Sequence, residues 1–244
     1  MKSLVSVILL LFIFSPISHA DEKAAALLKE IDELYRSATS ISTMKMEIVT
    51  PNWQRTLEMQ SWTVGMEDTF IRILSPRKDR GVATLKKGNE MWNYFPKINK
   101  VIKVPPSMMM GSWMGSDFTN DDLVKEASLV DDYHVEKTDK DGQYHLSLTP
   151  KQQTVTVWGR IDIIVEQSNL LPIEQAYYNE KGEKVRVLTF SDVKEFSGKR
   201  IPSKMTMTPL NKSGHKTTME YVEAEFDIEL DDGIFTLRNL QTRF

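Results

Sequence analysis

The chain of 244 residues has no cysteine at all and only 4 histidines. The first absence excludes disulfide staples, thiolate-bound zinc and a thiol nucleophile. Three histidines, His134, His145 and His215, follow the N-terminal segment, and each falls in a different strand-like run without metal-ligand spacing. There is no Gly-x-Ser-x-Gly elbow, no phosphate-cradling glycine loop and no His-Glu-x-x-His pair. The acid-flanked turn Thr138–Gly142 lacks the twelfth-position glutamate of a calcium loop, since Thr149 or Pro150 falls there. The two signs of charge nearly balance: 31 lysines and arginines against 34 acidic residues leave a net charge of −3. That balance argues against a nucleic-acid partner, which calls for a basic patch. No catalytic constellation, cofactor or metal is expected.

What is present begins with a leader. Lys2 precedes the apolar run Leu4 to Phe14, and Ser18-His19-Ala20 place small residues at the −3 and −1 positions of a cut before Asp21. That is the pattern of a secretory signal peptide spanning residues 1–20, and the run is too short to cross a bilayer. Losing Lys2 moves the net charge from −3 to −4. With no cysteine beyond the cut, the exported chain has no site for a bacterial lipid anchor, so a soluble protein is expected. Residues 21–244 read as a single domain, without a composition break or an internal repeat. A chain of this size buries roughly 70% of its unfolded surface and needs no staples.

Residues 21–37 predict the one long helix, with Ala24, Leu27, Leu28, Ile31, Leu34 and Tyr35 at helical spacing. Helical patterns then become scarce. Strand-like runs cover residues 41–49, 54–64, 69–74, 82–86, 91–95 and 101–104, and resume at 132–138, 144–149, 154–166, 171–178, 184–193, 200–208 and 215–226. Turn signals such as Asp141-Gly142, Lys181-Gly182 and Ser197-Gly198 separate them. On the second run Leu57, Met59, Ser61 and Thr63 face one way, and Thr56, Glu58, Gln60 and Trp62 the other. The pattern predicts consecutive antiparallel hairpins and a mainly β, α+β fold. A sheet of about 11 strands must curl, split or close. A half-open barrel with helices plugging its open side is the expected solution. A short turn of helix is expected at residues 231–237, against the sheet edge.

The stretch from Met91 to Asp122 is the least ordinary part. Pro105-Pro106 stop a strand. Met108, Met109, Met110, Trp113 and Met114 follow, set among Gly111, Ser112, Gly115 and Ser116. Long loops of this kind are often lids, and methionine adapts to variable apolar partners. A greasy flap over an apolar cavity is the reading; a core plug, or a soft-metal thioether site, would use the same residues. Phe118 to Leu129 predicts a short helix, for which Ser116 or Asp117 caps one start and Thr119, with Asp122 three residues on, caps another. The expected groove and lid residues are Trp62, Trp92, Tyr94, Met108, Met109, Met110, Trp113, Met114 and Phe118. An exported curved sheet with such a flap reads as a carrier of apolar cargo.

The run from Gly81 to Pro96, followed by Gly115-Ser116-Asp117-Phe118 and Asp121-Asp122-Leu123, resembles the bacterial outer-membrane lipoprotein-sorting proteins, the LolA-like family. It is closest to the branch found beside lipid-exporting transporters. The likeness continues through Leu171-Pro172-Ile173-Glu174, Ile201-Pro202-Ser203-Lys204-Met205 and Leu230-Asp231-Asp232. It implies a half-open barrel with a helical lid, a periplasmic location, and acyl chains of a lipoprotein or lipid as cargo. It further implies an inner-membrane transporter and an outer-membrane acceptor as partners, and a monomeric carrier that acts as a chaperone. A non-carrier adaptor of a lipid transporter is the alternative. The family's lid is described as latched by a barrel arginine; no motif places it here, and Arg55 and Arg72 are the candidates.

Overall fold

The computed structural model describes residues 19–35, 37–65, 67–125 and 129–242. The leader up to Ser18 lies outside the described residues, as do the side chains of Leu34 and Tyr35. The first helix, α1, runs His19–Tyr35. Its Ala24, Leu28 and Ile31 are buried, one helical turn apart, so the stripe expected from spacing is the face that packs.

Six strands follow: β1 Thr39–Val49, β2 Gln54–Val64, β3 Asp68–Ser75, β4 Ala83–Lys87, β5 Glu90–Phe95 and β6 Lys100–Lys103. Two short helices, α2 Asn120–Lys125 and α3 Leu129–Asp132, lead into β7 Tyr133–Lys140. The chain continues through β8 Gln143–Pro150, β9 Arg160–Glu166, β10 Pro172–Tyr178, β11 Lys184–Phe196, β12 Lys199–Pro209 and β13 Lys216–Phe226. All belong to one sheet of 13 strands in the order β6-β5-β4-β3-β2-β1-β13-β12-β11-β10-β9-β8-β7. Every pairing is antiparallel, and β1 lies against β13. The 13 strands correspond to the 13 strand-like runs of the sequence, slightly more than the expected sheet of about 11, and even the short Lys100–Lys103 pairs along its full length. Turns with two left-handed residues, Asp141-Gly142 (φ 52° and 76°) and Ser197-Gly198 (48° and 80°), match the twist of the strands they join.

The sheet curves but does not close: β6 and β7 are its two ends. Its concave face holds the main core, in which Met46, Ile48, Leu57, Met59, Ile73, Leu148 and Ile161 are almost fully buried. Each such side chain contributes about 1.5–3 kcal/mol by leaving water, set against the entropy of ordering the chain. A second cluster covers the outer face. There Phe70, Ala83, Leu85 and Tyr94 pack against Phe235 and Leu240 of the C-terminal segment. That segment is a turn of 3₁₀ helix, Asp232–Phe235, followed by α4, Leu237–Leu240. It therefore lies across the outer face of β3–β5 and not along the sheet edge. Arg72 of β3 donates to the Asn239 carbonyl at 2.8 Å and ties the segment down.

One sequence expectation is shortened. The run 154–166 begins its strand only at Arg160, because Lys151 N and Thr154 Oγ1 donate instead to the Asp132 carbonyl. Those bonds hold residues 151–154 beside the start of β7. Among the described residues no helix is long and apolar enough to cross a membrane.

Candidate functional site

Residues 104–119, between β6 and α2, form a lid folded largely on itself. Pro105 is extended, and residues Pro106–Met108 make a 3₁₀ turn. Asn120 Nδ2 donates to the Met108 carbonyl at 3.0 Å and to the Gly111 carbonyl at 3.2 Å. Trp113 N donates to the Phe118 carbonyl, and Ser116 Oγ to the Trp113 carbonyl. Thr119 caps α2 reciprocally: its N–H donates to Asp122 Oδ2 at 2.7 Å, and Asp122 N–H to Thr119 Oγ1 at 3.1 Å. Of the two starts that the sequence offers, Thr119 with Asp122 is the one used.

Three strands pin this lid into the barrel, and a fourth, β11, pins the helix α2 that follows it. On β4, Thr84 Oγ1 accepts from the indole of Trp113 at 3.1 Å. On β13, the hydroxyl of Thr217 donates to Asp117 Oδ2 at 2.8 Å and accepts from Asp117 N at 2.9 Å. On β11, Arg186 holds Asp122 in a two-pronged pair at 2.8 and 2.5 Å. Its guanidinium lies between the rings of Tyr177 and Trp158, at 4.0 and 4.4 Å. Burial works against the Arg186 charge, but hydrogen bonding and attraction to Asp122 leave its pKa above the ordinary value. On β2, Arg55 donates to the Met114 carbonyl. Met114 and Gly115 are both left-handed, with φ 52° and 78°, which turns that carbonyl toward Arg55.

Beneath α1 and the two short helices that follow the lid lies a cavity of about 240 Å³. It is bounded by Leu28 and Ile31 of α1, by Leu123 and Leu129 of the short helices, and by Met44, Ile71, Ile163, Phe190, Met205 and Met219 of the sheet. Ser40, Ser61, Thr63 and Thr69 give it one polar flank, where the Ser40 and Thr63 hydroxyls bond at 2.7 Å. The cavity is therefore roofed by α1 and the α2–α3 region, with the curved sheet as its floor.

The expected groove residues divide four ways. Trp113 (1% exposed) and Phe118 are core residues that anchor the lid. Met109 and Met114 pack partly buried against the same core. Met108 and Met110 point to solvent, 60% and 39% exposed. Trp62, Trp92 and Tyr94 are on the opposite face of the sheet, under the C-terminal segment; Trp62 meets Phe70 edge-on at 5.6 Å. They do not line the groove, because alternation puts Met59, Ser61 and Met91 on the concave side instead. None of the nine expected residues borders the 240 Å³ cavity. Its lining is a scatter of residues along α1, α2, α3 and eight strands, with no local signal beyond the alternation itself.

His215 Nδ1 stands 3.8 Å from Asp117 Oδ1. His134 is on β7 and His145 on β8, opposite Thr149 and Thr138. No group of three or more possible metal ligands occurs among the described residues.

Solved structures with this architecture include a DUF1329 family protein from Desulfovibrio piger, 23% identical with a TM-score of 0.82, covering 91% of this chain and 100% of its own. A domain named for outer membrane lipoprotein sorting from Vibrio parahaemolyticus is 20% identical with a TM-score of 0.79, over 91% of this chain and 100% of that one. A LolA superfamily protein from Nitrosomonas europaea is 22% identical with a TM-score of 0.73, over 88% and 98%. No curated protein matches the sequence. A family model described as an uncharacterized protein matches residues 65–242. The chain belongs to that uncharacterized family, and its fold is the LolA-like one.

Proposed function

We propose that the protein is an exported, periplasmic carrier that holds acyl chains of a lipid or lipoprotein in the cavity beneath α1. The cavity carries this reading: about 240 Å³ of largely apolar space inside a curved sheet. Engineered apolar cavities of about 150 Å³ already take up benzene-sized guests. Each methylene moved out of water contributes roughly 0.8 kcal/mol, so a partly inserted chain binds. The volume falls below the roughly 300–1,000 Å³ usual for drug-sized ligands, so α1 and the short helices that roof it, with the lid that leads into them, must move to admit more than one segment of chain.

In this reading Arg55 is the latch. Its bond to the Met114 carbonyl favours the closed state, and cargo or a partner that breaks it shifts the population toward the open one. The lid-facing residues of the strands act by holding and releasing, and no covalent step is involved. An inner-membrane transporter as donor and an outer-membrane acceptor follow as partners of a monomeric carrier. Residues 21–244 act as one carrier domain after removal of the leader.

A fluorescent fatty-acyl probe tests the site. Filling the cavity with Met219→Trp and Thr63→Phe should weaken probe uptake at least about tenfold with the β fold retained, since loss of the space removes several buried methylenes. Unchanged affinity in a folded double variant would contradict the assignment. The exposed Met108 and Met110 favour the second reading, a transporter adaptor, and Met108→Ser with Met110→Ser separates the two: carrier uptake is insensitive to it, adaptor binding is not.

A further inference from the structure

One end of the barrel carries charge that the acyl cavity does not use. Four loops meet there: residues 50–53, 76–82, 96–99 and 210–215. Their proximity is fixed by contact. A Cβ at Gly81 would stand 3.5 Å from the Pro96 ring, and one at Gly214 would stand 3.1 Å from that of Pro51. Arg55, just beyond the first loop, lies 3.8 Å from Asp79 in the second.

These loops carry exposed Arg77, Lys78, Arg80, Lys97 and Lys212. Their one acid is Asp79, which faces Arg55. The chain as a whole is anionic, at −3, so the cations are concentrated at this end against the general balance. Three of the loops also raise a large apolar side chain into water: Trp53 at 45% exposure, Ile98 at 58% and Leu210 at 52%. Each sits on a separate loop beside basic residues. A protein interface would call for a contiguous apolar patch. Single apolar tips ringed by lysine and arginine suit a surface that is anionic at its face and apolar beneath, and tryptophan favours that boundary.

We propose that this end of the barrel docks on an anionic phospholipid bilayer. Arg77, Lys78, Lys97 and Lys212 supply attraction to the headgroups, while Trp53, Ile98 and Leu210 dip into the boundary layer. The Arg55 guanidinium is 5.9 Å from the Trp53 ring and binds the Met114 carbonyl. The docking end therefore adjoins the lid latch. This inference goes beyond the carrier reading and holds whether or not acyl chains occupy the cavity.

Cosedimentation with vesicles tests it, using phosphatidylglycerol mixed with phosphatidylcholine against phosphatidylcholine alone, at low and high salt. The purified protein, with its N-terminus fixed by intact mass and shared by all variants, should bind only the anionic vesicles and lose binding as salt rises. Neutralising Arg77→Gln, Lys78→Gln, Lys97→Gln and Lys212→Gln together should weaken binding at least about tenfold, since each basic residue near such a surface contributes appreciably. Trp53→Ser, Ile98→Ser and Leu210→Ser should remove the part that survives high salt. Acyl-probe uptake should be unchanged in both sets, which separates failure here from failure of the carrier reading. Absence of anionic-vesicle binding, or equal binding by the four-residue variant, would overturn the proposal. Charge-dependent retention on polyglutamate without vesicle binding would overturn it in favour of an acidic protein surface.

Discussion

Arg186 and Asp122 are both nearly shielded from water, with side-chain exposures of 7% and 14%. Removing one member of such a pair leaves a charge in a poor medium, and the cost is about 3–5 kcal/mol. Asp122→Ala or Arg186→Ala should therefore lower the denaturant midpoint sharply. Replacing both, Asp122→Leu with Arg186→Met, should recover most of that loss; strictly additive losses would contradict the account. Arg55 is more open to water, with a side-chain exposure of 26%, and it holds the Met114 carbonyl and faces Asp79 at 3.8 Å, so Arg55→Ala should cost about 1–3 kcal/mol. Its signature is local: faster amide exchange across residues 111–118 than in β1 and β2. The capping of α2 was legible from Thr119 and Asp122, because a cap acts over three residues. The Arg186–Asp122 pair, separated by 64 positions, leaves no local trace in the sequence.

The lid and the strands show where reading by element succeeds and where it stops. Period-2 alternation placed Leu57, Met59 and Ser61 on one face of β2 and Trp62 on the other, as the structure has it. Alternation says which residues share a face and not which face is inward. Trp62, Trp92 and Tyr94 are expected at the groove, but the C-terminal segment supplies a second apolar layer and covers them on the outer face. The stretch read as a flap folds as a separate segment against the sheet, with Trp113 as its buried anchor. If lid movement admits cargo, locking the lid to β13 should block it. The chain has no cysteine, so Asp117→Cys with Thr217→Cys would form the only possible disulfide. Oxidation should abolish acyl-probe uptake and reduction restore it; equal uptake in both states would show that cargo does not pass the lid.

At the scale of the whole molecule, a 13-stranded sheet that curves without closing leaves one gap, between β6 and β7. The chain fills it with the lid and roofs the remaining space with α1, and the residual cavity of about 240 Å³ follows from that incomplete filling. The meander and its curvature were readable because every hairpin announces itself with local turn residues. The cavity was not, since its walls come from segments spread from Leu28 to Phe226. The central claim is that this space holds acyl chains, and native mass spectrometry of gently purified protein, followed by lipid extraction, tests it most directly. The account predicts adducts of lipid mass that vanish on denaturation and are depleted in the Met219→Trp, Thr63→Phe variant. A clean unliganded mass that takes up no added acyl probe would contradict it.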